Sequence, residues 1–247
     1  MKKLRWLFIA ACLLILPVLS SCDDNDGYSI GDISYPNWST VRVTGNAFYL
    51  VSDTWGTLWP VNIDLGWYQP VDGQRVLTIF NPLYDNYQGY DHAVKLLSIR
   101  NALTKVVETM APGSENDYGN DPLFIYKGDI SIGGGYLNVI FQQNLPKNSE
   151  TKHRISLVQS TENQYTSDGY IHLELRYNDY NDLSGYRAMA LVSFNLSTLN
   201  LDAEAIKGVK LKLNSEVNGE VELTFNKKEK TELRNLDGED FTKMQLK

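Results

Sequence analysis

Apolar and polar residues alternate with a period of two in short runs along the second half of the chain. Five runs show this pattern, at 137–141, 155–157, 171–177, 209–213 and 221–225, and a sixth apolar run at 189–194 lies between them. Successive side chains of a strand point to opposite faces, so the alternation predicts strands with one buried face. The run 189–194 is apolar on both faces, which predicts a central strand. Six short strands separated by turns predict an antiparallel β-sandwich.

The first half has shorter runs of the same kind. Candidate strands lie at 39–44, 48–51, 55–61 and 75–80, and Asp72-Gly73 is a turn signal. These segments predict a small barrel or sandwich. The segment 93–110 is ambiguous, because Leu96, Leu103, Val107 and Met110 have helical spacing while 97–103 alternates like a strand.

Turn-forming residues without apolar periodicity fill 111–121 and predict a boundary between two domains. The expected organisation places a barrel domain at 37–113, a linker at 114–122 and a sandwich domain at 123–247. Residues 1–21 are expected to be a signal peptide, and 22–36 an acidic tether.

The N-terminus has the pattern of a secretory signal. Lys2, Lys3 and Arg5 precede an apolar run that ends at Leu19. The run is shorter than the roughly 20 residues that span a bilayer. Leu19-Ser20-Ser21-Cys22 resembles the lipobox of bacterial lipoproteins, in which the cysteine is acylated. We therefore expect Cys22 to carry the lipid that attaches the protein to a membrane; a plain cleaved signal is the alternative.

Acidic residues at 23, 24 and 26 follow Cys22 directly. They resemble the surface-export signal of Bacteroidetes lipoproteins, and a solvated tether is the alternative reading. The expected location is the outer membrane, with the protein exposed at the cell surface; a periplasm-facing protein is the alternative. Cys12 lies within the signal, so a mature chain with lipid on Cys22 has no disulfide, no catalytic cysteine and no cysteine metal site.

The charge balance excludes one class of partner. The chain has 23 Lys and Arg against 30 Asp and Glu, and removal of the three basic residues of the signal leaves 20 against 30, a net charge of −10. Nucleic-acid binding depends on neutralisation of phosphates by Lys and Arg. We expect no nucleic-acid partner.

Motifs for catalysis or cofactor binding are missing from the sequence. The three histidines, His92, His153 and His172, do not have metal-ligand spacing. His172 and Glu174 could form an acid–base pair on one strand face, but a solvated sheet face with cross-strand charge pairs is the favoured interpretation. Gly133-Gly134-Gly135 lies between strand-like runs and is expected to form a hairpin turn or a bulge. No cofactor and no metal are expected.

Aromatic residues supply the candidate binding residues. Clusters of Asp, Asn and Tyr at 84–91 and 177–182 could bind Ca²⁺ or sugar hydroxyls, or could serve only as loops. Residues that are close in sequence could form an aromatic ligand face, although packing in the core or at the barrel mouth is the more common role of such side chains. The members of this candidate face are Trp55, Trp59, Trp67, Tyr87 and Tyr90.

Several segments together resemble the NigD-like lipoproteins of Bacteroidetes. They are 22–32, Gln74-Arg75-Val76, Leu103-Thr104-Lys105, Tyr136-Leu137-Asn138-Val139, 152–157, 173–178 and Val192-Ser193-Phe194-Asn195-Leu196. The resemblance implies an all-β chain with an N-terminal OB-like barrel and a C-terminal antiparallel β-sandwich, and it favours strand for 93–110. It also implies an association with bacteriocin operons, and it supplies no catalytic residues.

The expected function is therefore that of a non-catalytic, lipid-anchored envelope protein that binds a protein, peptide or glycan outside the cytoplasm. A narrower possibility is an immunity protein that neutralises a bacteriocin. The alternative is a surface hydrolase with a carboxylate site built from loops.

Overall fold

The computed structural model describes residues 28–29, 31–62, 66–148, 150, 152–161 and 168–227. The predicted signal peptide 1–21, Cys22 and the acidic residues 23, 24 and 26 lie outside the described residues. In the part of the chain that is described, no helix is long and apolar enough to cross a membrane.

A closed five-stranded barrel forms the N-terminal domain. Its strands are β1 (Asn37–Thr44), β2 (Ala47–Ser52), β3 (Gly56–Pro60), β4 (Arg75–Tyr87) and β5 (Tyr90–Asn101), in the order β1-β2-β3-β5-β4. Neighbours are antiparallel except β3 and β5, which are parallel. Alternate residues fill the interior: Val41, Leu50, Leu58, Val76, Phe80, Val94, Leu96 and Ile99. The predicted OB-like barrel is confirmed.

Two stacked sheets form the C-terminal domain, so the predicted sandwich is also confirmed. The strands are β6 (Leu103–Val106), β7 (Glu108–Met110), β8 (Ile130–Gly133), β9 (Tyr136–Asn144), β10 (Arg154–Ser160), β11 (Tyr170–Asn178), β12 (Arg187–Asn195), β13 (Gly208–Ser215) and β14 (Gly219–Asn226). One sheet has the order β14-β13-β11-β10-β7, and the other has the order β6-β12-β9-β8. The sheets are mixed, because β7–β10, β11–β13 and β6–β12 are parallel pairs.

The last strand of the barrel ends at Asn101, before the predicted boundary at residue 113. β6 pairs with β12 and β7 pairs with β10, so both short strands belong to the sandwich. The ambiguous segment is extended, and it crosses from one sheet of the sandwich to the other at Val107. We therefore propose the boundary at Ala102. The expected linker contains a helix, α1 (Glu115–Tyr118), and Asp121 donates its N–H to the carbonyl of Tyr177 in the sandwich.

The described part of the expected tether lies against the barrel. Ser34 is buried, its N–H donates to the carbonyl of Phe80 at 2.8 Å, and its Oγ accepts the N–H of Phe80 at 2.9 Å. Asn81 Nδ2 donates to the carbonyl of Ser29 at 3.0 Å. These bonds hold the segment along β4, so this part is not a free solvated tether.

A third apolar cluster joins the two domains. The barrel contributes Trp38, Leu77 and Ala102, and the sandwich contributes Ile140, Met189 and Leu191. All six side chains are buried. The cluster explains why 189–194 is apolar on both faces: one face of β12 packs in the sandwich core and the other packs on the barrel.

Candidate functional site

A buried polar network lies beside the apolar cluster between the domains. Arg75, which is 0% exposed, donates from Nη1 to Asp53 Oδ1 at 2.8 Å and from Nη2 to Asp53 Oδ2 at 2.7 Å. Nη2 also donates to Asn138 Oδ1 at 2.9 Å, and Ser193 Oγ donates to the same oxygen at 2.8 Å. Four segments that are distant in sequence thus meet in one network around the ion pair.

The glycine hairpin closes this network from the sandwich side. Gly134 and Gly135 have φ of 58° and 83° and form the two-residue turn between β8 and β9, so the predicted turn is confirmed. A Cβ on Gly134 would lie 2.3 Å from Asp53 Oδ1. The ring of Tyr136 lies over the Arg75 guanidinium, with 4.5 Å between its centroid and Cζ. The absence of side chains at the turn lets the hairpin approach the ion pair.

A cleft of about 280 Å³ opens next to the network, between the domains. The barrel side is lined by Thr40, Arg42, Val51, Ser52 and Asp53, and the sandwich side by Gly134, Gly135, Tyr136, Asn195 and Ser197. The Arg42 side chain is 46% exposed, and its Nη1 lies 3.7 Å from Asp72 Oδ2. Its guanidinium is therefore accessible to a ligand at the rim of the cleft.

Strand register continues the cleft onto the outer face of the barrel. Arg42 lies opposite Tyr49, and Val51 lies opposite both Thr40 and Thr57. Leu50 pairs with Leu58, and both point into the barrel core. The next position of the β2–β3 ladder after Leu50 and Leu58 brings Tyr49 beside Trp59, and both side chains lie on the outer face.

We call five side chains the aromatic face: Tyr49, Trp59, Tyr84, Tyr87 and Tyr90. The centroid of the Tyr90 ring lies 4.8 Å from that of Trp59 and 5.2 Å from that of Tyr49. Tyr87 pairs with Tyr90 across the β4–β5 hairpin, and its ring stacks on that of Tyr84 at 6.5 Å. Tyr84 is 64% exposed, and the other four are half-buried.

The five residues predicted as a ligand face lie in three places. Trp59, Tyr87 and Tyr90 belong to the aromatic face. Trp55 packs edge-on against Phe80, with centroids 5.4 Å apart, and contacts the barrel core. Trp67 is 65% exposed, and its ring contacts Tyr68. The close spacing of the tryptophans in sequence does not bring them to one surface.

Sequence reasoning missed Tyr49 and Arg42. Both occupy outward positions of strands, opposite each other in the β1–β2 ladder. The alternation of Tyr49 with Leu50 shows that Tyr49 faces away from the core if Leu50 faces inward. The contact of Tyr49 and Trp59 with Tyr90 depends on closure of the barrel, which cannot be inferred from the alternation of apolar and polar residues.

Polar groups border the aromatic face. Asp91 Oδ2 accepts the N–H and the hydroxyl of Thr57, both at 2.7 Å. These two hydrogen bonds lower the pKa of the Asp91 carboxyl, which keeps it anionic. The rim therefore offers a fixed hydrogen-bond acceptor close to the rings.

The histidines are apart from this face and from one another. His92 Nδ1 lies 2.5 Å from Asp85, His153 contacts Tyr177, and His172 lies 3.1 Å from Asp168 instead of pairing with Glu174. Within the described ranges, no group of three or more His, Cys, Asp or Glu side chains could hold a metal ion.

Comparison with known proteins identifies both domains. The NigD-like N-terminal OB domain matches residues 39–101, and the NigD-like C-terminal beta sandwich domain matches residues 105–227. The interval between the two matches coincides with the passage from β5 to β6. No curated protein matches this chain.

Solved structures from related bacteria share the architecture. A protein of unknown function from Bacteroides vulgatus is 28% identical, with a TM-score of 0.68 over 79% of this chain and 90% of that one. A protein described as toxin-related from Parabacteroides distasonis is 30% identical, with a TM-score of 0.62 over 79% and 94%. A NigD-like immunity protein from Bacteroides caccae has the same fold, with 18% identity and a TM-score of 0.55 over 81% and 99%. With both domain models matched in order, this chain belongs to the NigD-like family.

Proposed function

We propose that this protein is a non-catalytic, lipid-anchored protein of the cell envelope that binds an extracytoplasmic partner on the outer face of its barrel. The observation that carries the proposal is the contact of Tyr49, Trp59 and Tyr90 on that face. OB barrels bind their ligands on the face of strands 2 and 3 and on the loop between strands 4 and 5. Tyr49 lies on β2, Trp59 on β3, and Tyr87 and Tyr90 on the two sides of the β4–β5 turn.

The anchor in this proposal is the lipid on Cys22, with the protein at the outer surface of the outer membrane. The segment that follows the anchor reaches the barrel at Tyr28, whose hydroxyl donates to Asp85 at 3.0 Å. A Cys22→Ser variant is expected to leave the membrane fraction, while the native chain stays in it. Proteinase K treatment of intact cells is expected to remove the native protein; full protection, with control surface proteins digested, would contradict surface exposure and indicate a periplasm-facing protein.

Partner binding is tested with a photo-crosslinking amino acid placed at Tyr84 in cells. Val217, which lies between β13 and β14 and is 44% exposed, is the matched control position on the sandwich. A discrete adduct at position 84 that is absent at position 217 supports the proposal. Equal labelling at both positions, or no adduct at 84 together with no binding of glycans, would contradict a binding role for the barrel face.

A narrower role in bacteriocin immunity is a second candidate, supported by the excess of 30 acidic over 23 basic residues. Complementary charge accelerates the encounter of an acidic protein with a cationic toxin. Deletion of the gene is expected to increase sensitivity to the toxin, and restoration of the native chain should reverse the effect. Unchanged sensitivity would contradict this role.

A further inference from the structure

We propose that the aromatic face is a carbohydrate-binding surface, on which a neutral oligosaccharide stacks a pyranose ring against Trp59 and Tyr90 and extends across Tyr49 towards the interdomain cleft. This inference rests on the proposed function and names the partner. The outer surface of β1, β2 and β3 runs without interruption from the barrel side of the cleft to Tyr49 and Trp59 of the aromatic face.

The rings provide the apolar part of such a site. One side of a pyranose presents C–H groups, which pack on the negatively polarised face of an aromatic ring. The ring centroids of Trp59 and Tyr90 lie 4.8 Å apart with an interplanar angle of 32°, and the centroid of Tyr49 lies 5.2 Å from that of Tyr90. Each is half-buried in a strand of a closed barrel. The rings are thus held in position before a ligand binds, which reduces the entropy lost on binding.

The rim provides the hydrogen bonds that sugar hydroxyls need. Thr57 occupies Oδ2 of Asp91, so Oδ1 remains to accept a hydroxyl hydrogen. Arg42 can donate at the opposite end, at the mouth of the cleft, where Asn195 and Ser197 also contribute polar groups. The site therefore has an acceptor at one end of its aromatic centre and a donor with further polar groups at the other.

Charge distinguishes a neutral sugar chain from a polyanion. Arg42 is the only Lys or Arg between residues 37 and 60, the segment that forms β1, β2 and β3. A nucleic acid or another polyanion needs a row of cations along its backbone. Arg42 faces the carboxylate of Asp72 at 3.7 Å, and Asp91 adds a second carboxylate, so this surface has no row of cations for a polyanion.

Side-chain shape favours a sugar over a peptide. On the outward positions of β1–β3, Val51 is the only aliphatic side chain larger than Ala. Peptides bind through pockets for alternate side chains or through a free strand edge. The barrel is closed by its β1–β4 pairing, so this face offers no strand edge.

The dimensions match more than one sugar residue. Neighbouring strands lie about 4.8 Å apart, so the path from β1 across β2 and β3 to β5 is about 14 Å long. A monosaccharide would cover only part of this path. We therefore expect affinity to increase with the length of the oligosaccharide up to the span of the face.

The test is isothermal titration of the purified full chain in detergent with four neutral hexasaccharides: cellohexaose, maltohexaose, mannohexaose and chitohexaose. We expect at least one to bind, and its trisaccharide to bind more weakly. Trp59→Ala and Tyr90→Ala are each expected to weaken binding at least tenfold. Trp67→Ala and Tyr186→Ala are the matched controls and should change affinity less than twofold. Both control side chains are exposed, Trp67 by 65% and Tyr186 by 76%, and Tyr186 precedes the end of β12 that is distant from the cleft.

Urea unfolding of each variant shows whether a loss of binding reflects unfolding. If one of the two variants does not fold, the other still tests the inference. Absence of binding to all four hexasaccharides, or binding that neither variant weakens, would overturn the inference. A protein adduct at position 84 together with absence of sugar binding would overturn the carbohydrate inference and leave the proposed function standing. Absence of both adduct and sugar binding would overturn both.

Discussion

Arg75 on β4 and Asp53 between β2 and β3 form a two-pronged ion pair at the junction of barrel and sandwich, with hydrogen bonds of 2.8 and 2.7 Å. The pair belongs to the barrel, but its contacts cross to the sandwich. Asn138 accepts from Arg75 and donates from Nδ2 to Asp53 Oδ2 at 3.2 Å. Because both charges are almost fully buried, their hydrogen bonds hold the two domains in one relative position. That position forms the cleft and aligns it with the aromatic face.

Removal of Asp53 tests this ion pair. Asp53→Ala leaves the buried Arg75 charge without its carboxylate, so we expect a loss of about 3–5 kcal/mol in the free energy of unfolding, measured with urea. The control is Lys212→Ala, which breaks the exposed Lys212–Glu220 pair at 3.8 Å and should cost under about 1 kcal/mol. Equal losses in the two variants would contradict a structural role for the buried pair.

The glycine hairpin offers a matched comparison. Gly134 and Gly45 have nearly the same φ, 58° and 59°, but a Cβ on Gly45 has no atom within 4 Å. Both alanine variants carry the conformational cost of positive φ, about 1–2 kcal/mol. Gly134→Ala also pushes against Asp53, so its loss of stability should exceed that of Gly45→Ala by about 2 kcal/mol. Equal thermal unfolding midpoints would show that the hairpin does not need its close approach.

Trp55 and Trp59 should differ in how much each contributes to the free energy of unfolding. Trp55→Ala removes a ring packed on the barrel core, so we expect a loss of about 3 kcal/mol in the free energy of unfolding. Trp59→Ala removes a half-buried ring on the outer face and should cost about 1 kcal/mol. Urea unfolding measures both. A larger loss for Trp59 than for Trp55 would mean that the aromatic face is a packing surface.

Glu108 on β7 should make stability depend on pH. Burial alone would raise its pKa, but the hydrogen bond from Ser156 at 2.8 Å and the charges of Lys105 and Arg154 outweigh burial and lower the pKa below its ordinary value of 4.5. The folded state therefore favours the carboxylate. Its stabilisation is present above the pKa of the unfolded chain and is lost as the pH falls through the lower, folded value.

The measurement compares the native chain with Glu108→Gln by urea unfolding between pH 7 and pH 3. At pH 7 the variant should be less stable by about 1–2 kcal/mol, because hydrogen bonds to a charged carboxylate are lost. The difference should shrink below pH 4.5, the ordinary pKa of the group. Glu220→Gln, at an exposed position, is the control. A difference that stays constant over this range would contradict the linkage.

Local patterns in the sequence predicted the strands and the class of fold. The alternation in β11, β13 and β14 is a direct consequence of burial on one side of a strand, so it can be recognised without knowledge of the partner strand. The turn-forming stretch at 111–121 predicted two domains, and the resemblance to the NigD-like family implied that the first is an OB-like barrel. The Gly133–Gly135 turn was also predictable, since positive φ in a two-residue hairpin requires such residues.

Only the tertiary structure shows the strand pairing on which the proposed domain boundary rests, and only it brings the residues of the candidate site together. From sequence alone, β6 and β7 are assigned to the barrel; their pairing with β12 and β10 shows that they belong to the sandwich sheets. Likewise Trp55 and Trp59 are four residues apart, yet one packs on the core and the other lies outside with Tyr49 and Tyr90. Strand periodicity reports which side of a strand is buried. It does not report which distant strand lies beside it, because that choice depends on packing and pairing over the whole chain.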